Sequence, residues 1–139
     1  MKLNDLLLSL DKYSFKHKIQ TRWIDMDLLG HINNATYLTY IEDSRLSFFE
    51  RWNIKHPNKS IIVAAIQINY INQIKHPSKL IVGSKISHIG NSSFDIISGI
   101  FVNKSNKPSA TSLVTCVCYD FNNNNPVPVY NKIKKDYLI

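Results

Sequence analysis

The sequence is poor in glycine and proline, with four Gly and five Pro among 139 residues. Long disordered stretches are therefore not expected, since such segments are usually rich in these residues. No apolar run approaches the roughly 20 residues of a membrane-spanning helix. The run Leu6–Leu8 is short and flanked by Asp5 and Asp11, unlike a secretion signal. We expect a cytoplasmic protein with no membrane partner.

Cysteine is also scarce, and the two present, Cys116 and Cys118, alternate with Val117. A strand places residues at this spacing on one face, where a disulfide between them is unfavourable. No nearby His or Cys completes a metal site. We therefore expect two buried, reduced thiols, no metal and no cofactor.

Acidic residues are in the minority, and 10 Asp and Glu against 17 Lys and Arg give a net charge of +7. Basic proteins often bind anions such as nucleic acid or phosphorylated small molecules. The lysines are scattered, however, apart from a mild cluster at Lys132, Lys134 and Lys135, and no nucleic-acid motif is present. We expect no nucleic-acid partner.

The length and the hydrophobic fraction of 44% suit one domain, residues 1–139, with a continuous core. Residues 3–10 are compatible with a short helix or an extended arm. From Phe15 to Trp23 apolar and polar residues alternate, which predicts a half-buried strand with Trp23 on its apolar face.

A loop and a long helix follow this strand. The loop reads D-M-D-L-L-G-H-I-N-N, and Asn33 or Asn34 is suited to cap a helix that runs to about Trp52. Its helical spacing gives one broad stripe, formed by Tyr37, Leu38, Ile41, Arg45, Phe48, Phe49 and Trp52.

The remaining pattern predicts four strands joined partly by hairpins. The predicted strands cover residues 61–74, 80–89, 93–103 and 110–121, with an irregularity at Ala64–Ala65, turns at 90–91 and 104–108, and an edge segment in 127–139. One helix buried against one curled antiparallel sheet is an α+β architecture. A single helix cannot cover such strands completely, so we expect a homodimer or a homotetramer paired through the sheet.

The run D-M-D-L-L-G-H-I-N-N-A-T-Y-L-T-Y-I-E-D-S-R closely resembles the first motif of hotdog-fold acyl-CoA thioesterases. The similarity is to the 4-hydroxybenzoyl-CoA thioesterase group, with its long-chain acyl-CoA and acyl-carrier-protein relatives. It extends from about Phe15 to Val129 through I-Q-I-N-Y-I-N-Q-I, H-I-G-N-S-S-F-D-I and V-T-C-V-C-Y-D-F. The resemblance implies a hotdog fold, a sheet wrapped around the central helix, with active sites at the subunit boundary.

The same resemblance implies roles for individual residues. Asp27 matches the catalytic carboxylate, Asn34 the residue whose backbone N–H polarises the thioester carbonyl, and His31 belongs to the matching H-I-N-N run. Gly30, Asn33, Tyr37, Ser92 and Ser93 are candidates for substrate binding. The chain departs from the family at Leu29, where carrier-protein enzymes have an asparagine, and at Gly90, Asn91 and Ser92, where the hydroxybenzoyl branch holds coenzyme A phosphates with basic residues.

The residues themselves support this chemistry. A carboxylate close to a helix N-terminus can activate water as a general base or attack a carbonyl directly, and the sequence leaves both routes open. Unpaired N–H groups of the first helical turn can stabilise the oxyanion. We expect Asp25 to hold the loop, Gly30 to meet a backbone requirement, and Glu42 to pair with Arg45 along the helix.

The predicted function is hydrolysis of a fatty or aromatic acyl-CoA, or of an acyl-carrier-protein thioester. The alternative is a non-catalytic hotdog module that binds acyl-CoA. A hotdog dehydratase is less favoured, because such an enzyme needs a differently placed His, and His31 precedes the helix.

Overall fold

In the computed structural model, which describes residues 7–138, an antiparallel sheet curls around the long helix α1, Asn34–Glu50. The strands are β1 (Phe15–Gln20), β2 (Ser60–Tyr70), β3 (Lys79–Ile89), β4 (Ser93–Val102), β5 (Ala110–Asp120) and β6 (Asn125–Pro126). Their order is β1-β3-β4-β5-β2, and β6 pairs with β5. The predicted α+β architecture is confirmed.

Helix α1 begins as its sequence predicts. Asn33 is the capping residue, because its Oδ1 accepts a 2.9 Å hydrogen bond from the Ala35 amide. The buried face of the helix consists of Tyr37, Tyr40, Ile41, Ser44, Arg45 and Phe48. Leu38, predicted in the apolar stripe, is exposed, and the helix ends two residues before Trp52.

The sheet contains the irregularity predicted in its second strand. The register between β2 and β5 shifts between Val63 and Ala65, as a β-bulge does. Cys116 and Cys118 lie buried on the face of β5 that meets α1, and neither forms a disulfide. Burial raises the pKa of the Cys116 thiol to about 12, so this thiol stays protonated at neutral pH.

Strand β1 is shorter than predicted. It pairs with β3 only as far as Gln20, after which the Thr21 amide and hydroxyl both donate to the Ser78 carbonyl and turn the chain. Residues Trp23–Asp25 then form a 3₁₀ turn that leaves the Trp23 side chain 77% exposed. The predicted burial of Trp23 is therefore wrong.

A second, smaller core lies on the outer face of the sheet, away from α1. Tyr13, Ile97 and Phe101 form it, and the ring of Tyr13 lies where a Cβ at Gly83 would approach within 2.7 Å. The 3₁₀ turn Leu10–Lys12 leads into this contact. Of the predicted N-terminal helix or arm, residues 3–6 lie outside the described part of the chain.

The predicted edge segment in 127–139 is wrong, because β6 ends at Pro126 and Asn131–Tyr137 form the helix α2. Strand β1 reaches only Ser84 on its neighbour, and α2 packs against β3 with Ile133 fully buried. The carboxylate of Asp136 accepts hydrogen bonds from Arg51 at 2.6 Å and from the Trp52 indole at 2.7 Å. Among residues 7–138, no helix has both the length and the apolar character needed to cross a bilayer.

Candidate active site

Asp27 lies in a tight loop between β1 and α1. Its Oδ1 accepts hydrogen bonds from the backbone amides of Leu29 at 2.8 Å and His31 at 3.1 Å. Its own amide donates to the His31 carbonyl at 2.7 Å, and its carbonyl accepts from Gly30. These bonds hold the carboxylate through one oxygen, while Oδ2 has no hydrogen-bond partner among the described residues. The second oxygen is therefore free for water or substrate.

Gly30 makes this loop possible. It has φ = +81°, the left-handed region that residues with a Cβ rarely adopt, and open space surrounds its Cα. The glycine thus meets a backbone requirement, as expected. Because the chain reverses here, His31 returns to pair with Asp27 and also bridges to Lys75.

Asp25 joins this loop to the helix. Its buried carboxylate accepts hydrogen bonds from the Tyr40 hydroxyl at 2.6 Å and from the Arg22 guanidinium at 2.9 Å, and the Arg22 amide also donates to it. Its backbone carbonyl accepts the amide of Asn33 at 2.9 Å. Burial raises the pKa of Asp25, but the hydrogen bonds from Tyr40 and Arg22 outweigh that effect and leave the pKa below its ordinary value.

The N-terminus of α1 opens beside the loop. The Ala35 amide is used by the Asn33 cap and the Thr36 amide by the Asn33 carbonyl. The amide of Asn34, at the first helical position, has no hydrogen-bond partner among residues 7–138. An unpaired N–H at the positive end of the helix dipole is suited to bind a developing oxyanion.

Two aromatic residues form a wall next to this end of the helix. The rings of Tyr37 and Tyr70 meet edge to face at 4.9 Å, and the Tyr70 hydroxyl donates to the Asn34 carbonyl at 2.9 Å. Burial raises the pKa of Tyr37, and the nearby charge of Asp27 adds to the shift. The Tyr37 hydroxyl also accepts from the Ile74 amide, so this side chain is fixed.

The structure therefore brings Asp27, Gly30, His31, Asn33, Asn34 and Tyr37 to one junction of loop and helix. His31 keeps its Nδ1 buried without a partner among the described residues. Ser92 and Ser93 do not join this junction in the same protomer. Ser92 lies in the β3–β4 turn and Ser93 begins β4, where it pairs with Val117, whereas Tyr70 near the junction pairs with Ala110 at the other end of β5.

Sequence reasoning missed the partner of Asp25. The helical spacing of Tyr40 suits a core residue or a wall of an acyl pocket, whereas in the structure its hydroxyl reaches the loop and donates to Asp25. The spacing of Arg22 three residues before Asp25 was a signal for their ion pair, whereas no pattern close in sequence indicated the hydrogen bond from Tyr40. The expected pair of Glu42 and Arg45 is present, with 3.8 Å between Oε2 and the guanidinium.

An apolar cleft of about 460 Å³ lies at the opposite end of α1. Its apolar lining is formed by Leu46, Phe49, Ile54, Ile61 and Phe121, and its polar rim by Glu50, Asn53, His56, Lys59 and Ser60. The 17 residues of α1 span roughly 25 Å at 1.5 Å per residue, so this cleft is distant from Asp27 of the same protomer.

Comparison with known proteins identifies the family. A model of the thioesterase-like superfamily matches residues 21–136. The chain belongs to the thioesterase-like superfamily. It is a thioester hydrolase, and the hotdog fold implied by its sequence is confirmed by solved structures. The PA5185 protein of Pseudomonas aeruginosa superposes with a TM-score of 0.86 at 21% identity, covering 95% of this chain and 94% of that one.

Two curated proteins are similar in sequence to this superfamily member. The long-chain acyl-CoA thioesterase FadM of Escherichia coli is 28% identical over 108 residues, 74% of this chain and 81% of FadM. The uncharacterized protein YsmA of Bacillus subtilis is 34% identical over 86 residues, which are 60% of this chain. That match spans 58% of the length of YsmA.

Proposed function

We propose that this thioesterase-like protein hydrolyses the thioester of an acyl-CoA or an acyl carrier protein, with Asp27 as the reacting carboxylate. The observation that carries the proposal is the state of the Asp27 side chain. One oxygen is held by two loop amides and the other is free, beside a helix whose first amide is also free. The resemblance of the first motif and the similarity to FadM support the same chemistry.

In the general-base route, Asp27 takes a proton from water while the water oxygen attacks the thioester carbonyl. The Asn34 amide donates to the oxyanion, and losing one such donor typically costs about 3 kcal/mol of barrier. Collapse of the intermediate breaks the carbon–sulfur bond, and the departing thiolate takes up the proton that Asp27 received from water. In the nucleophilic route the free oxygen of Asp27 attacks the thioester carbonyl, the carbon–sulfur bond breaks, and the thiolate leaves and takes a proton from water. Water then hydrolyses the anhydride, which releases the acyl group as the free acid and restores the Asp27 carboxylate.

The other candidate residues receive supporting roles in this proposal. Gly30 and Asn33 set the backbone conformation of the junction, and the ring of Tyr37 forms one of its walls. The buried, unpartnered Nδ1 of His31 is available to orient a bound group next to Asp27. Ser92 and Ser93 are distant from Asp27 of the same protomer. In this proposal they contact the substrate bound at the Asp27 of a second copy.

The second copy pairs, in this proposal, with the exposed edge of the sheet. Strand β2 forms this edge, residues 63–67 are exposed, and both Val63 and Ile66 are apolar. An apolar edge strand of this length is a template for pairing with another chain. Two-fold pairing of β2 with itself in antiparallel orientation gives the homodimer that we propose, with a homotetramer as its pairwise extension.

In this proposed dimer, the acyl group bound at one Asp27 occupies the apolar cleft of the partner protomer. Antiparallel pairing sets the start of one β2 against the end of the other, so the apolar cleft of one protomer lies beside the Asp27 junction of its partner. The cleft volume of about 460 Å³ falls within the range of small-molecule sites. The apolar lining favours a fatty acyl chain, and an aromatic acyl group is the second candidate.

The test is thiol release from a series of acyl-CoAs of graded chain length. Asp27→Asn should lower kcat by a factor of about 10³ or more while the protein remains folded. Asp43→Asn is the matched control, because Asp43 is also exposed but pairs with His17 on the side of α1. Full activity in Asp27→Asn would refute the role of this residue. Saturable acyl-CoA binding without turnover in the unmutated protein would favour the binding module instead.

A further inference from the structure

The end of the sheet that carries Asp27 has a net positive charge, because few acidic residues lie there. Three stretches meet there, residues 18–36, 70–82 and 100–112. Together they contain six Lys and Arg but two acidic residues, the buried Asp25 and Asp27 itself. The fold therefore brings cations from three separate parts of the sequence to one end of the sheet.

Hydrogen bonds join these stretches. The Gln20 side chain donates to the Ser78 carbonyl at 3.1 Å. Lys79 and Asn103 are linked twice, since the Lys79 amide donates to the Asn103 Oδ1 and the Asn103 amide to the Lys79 carbonyl. His31 of the Asp27 loop bridges to Lys75. The basic surface thus continues from the strand ends to the candidate active site.

A groove of about 690 Å³ lies in this surface. Lys18, Lys79 and Lys104 line it together with the apolar residues Leu80 and Ile81. None of the ion pairs found between residues 7 and 138 uses any of these three lysines. We name this feature, defined by Lys18, Lys79 and Lys104, the lysine groove.

The lysine groove remains open in the proposed dimer. It is formed at β1 and β3, whereas pairing uses β2 at the opposite edge of the sheet. The groove is therefore available to a partner that approaches from outside the dimer, on the side where the Asp27 loop leaves β1.

The charge pattern distinguishes between two anionic partners. The phosphates of coenzyme A form a compact group, and the β3–β4 turn, Gly90–Ser92, has no Lys or Arg to hold them. The lysines of the groove instead come from two strands and a hairpin and surround an apolar floor. A helix with acidic residues on its rim and apolar residues on its face matches both features.

We propose that the lysine groove docks an acidic acyl carrier protein and delivers its thioester to Asp27. This proposal rests on the thioesterase function proposed above. Charge complementarity speeds encounter, and the apolar floor retains the helix of the carrier. The groove thereby selects a protein-bound acyl group over the same acyl group on coenzyme A.

The experiment compares palmitoyl-CoA with a palmitoylated bacterial acyl carrier protein as substrates. The variant Lys18→Glu/Lys79→Glu/Lys104→Glu should lower kcat/KM for the carrier protein at least tenfold and change it less than twofold for palmitoyl-CoA. The control Lys55→Glu/Lys134→Glu/Lys135→Glu changes net charge equally, on exposed residues outside the groove, and should affect neither substrate. Added NaCl should lower carrier-protein turnover by the unmutated protein and have little effect on the groove variant.

Each other outcome overturns the proposal in a different way. Equal loss on both substrates would assign the groove to coenzyme A phosphates, and no loss on either would remove its docking role. Equal losses in the groove variant and the control would show an effect of net charge alone. If the unmutated protein hydrolyses neither substrate, the proposed function fails, and titration with the unacylated carrier protein tests docking separately. Absence of binding in that titration would exclude docking.

Discussion

The hydroxyl of Tyr40 on α1 donates a 2.6 Å hydrogen bond to the buried carboxylate of Asp25. The same aspartate binds the capping residue Asn33 through its backbone carbonyl and lies two residues before Asp27. Asp25 therefore ties the loop of the reacting carboxylate to the second turn of the helix through its side chain and to the helix cap through its backbone. The spacing between Asp27 and the helix N-terminus depends on this contact.

Removing the Tyr40 hydroxyl should affect both stability and catalysis. Tyr40→Phe leaves a buried carboxylate short of one donor, so the free energy of unfolding should fall by about 1–3 kcal/mol. The loosened loop should lower kcat by about tenfold to a hundredfold, with KM less affected. Chemical denaturation and steady-state kinetics measure the two effects.

Tyr13→Phe is the matched control. The Tyr13 hydroxyl is buried without a partner among the described residues, and the ring lies on the outer face of the sheet. Its removal should leave kcat unchanged and stability equal or higher. Equal kcat in Tyr40→Phe and Tyr13→Phe would show that the Asp25 contact does not position Asp27.

The depressed pKa of Asp25 predicts an acid-dependent part of the stability. Because the folded pKa lies below the unfolded value, this contribution is fully present above about pH 5 and is lost as the pH falls through the folded pKa. Asp25→Asn should therefore be less stable than the unmutated protein at neutral pH, with the difference shrinking toward about pH 3. Urea unfolding across this range measures it, and a constant difference would contradict the assignment.

Gly30 should tolerate asparagine better than alanine. No atom lies within 4 Å of a Cβ built at this position, so a substitution costs backbone strain rather than a clash. At φ = +81°, Gly30→Ala should lower the free energy of unfolding by about 1–2 kcal/mol, and Gly30→Asn by less, since Asn populates this region more readily. Thermal or urea unfolding of both variants tests the order, and equal costs would argue against strain.

The proposed dimer predicts complementation between two inactive variants. Asp27→Asn removes the carboxylate, and Leu46→Trp fills the apolar cleft. If each site combines Asp27 of one protomer with the cleft of the other, a heterodimer of the two variants retains one intact site. Its activity on palmitoyl-CoA should be about half that of the unmutated dimer.

Coexpression with two different affinity tags isolates this heterodimer. The Leu46→Trp homodimer serves as the baseline and also shows whether the cleft binds the acyl chain. A heterodimer no more active than the average of the two homodimers would place the cleft and the carboxylate in one protomer. That result would contradict the antiparallel pairing of β2.

Most regular elements of the fold follow from local patterns. The Asn33 cap, the helical apolar stripe and the alternation in β3, β4 and β5 each depend on residues close in sequence, so their bounds were predicted closely. The bulge in β2 was also visible, at Ala64–Ala65. Predictions failed at Trp23 and in residues 127–139, where a contact distant in sequence decides the outcome. Thr21 turns onto Ser78, and Asp136 binds Trp52.

The sequence by itself determined which groups the candidate site contains: the carboxylate of Asp27, the glycine that reverses its loop and the asparagine that starts the helix. These lie within eight residues, and a short loop cannot separate them. Only the tertiary structure decided that Tyr40 anchors Asp25 and that Lys18, Lys79 and Lys104 line one groove. The three lysines meet because the strand ends that carry them lie at the same end of one sheet, and Tyr40 reaches Asp25 because α1 packs inside that sheet.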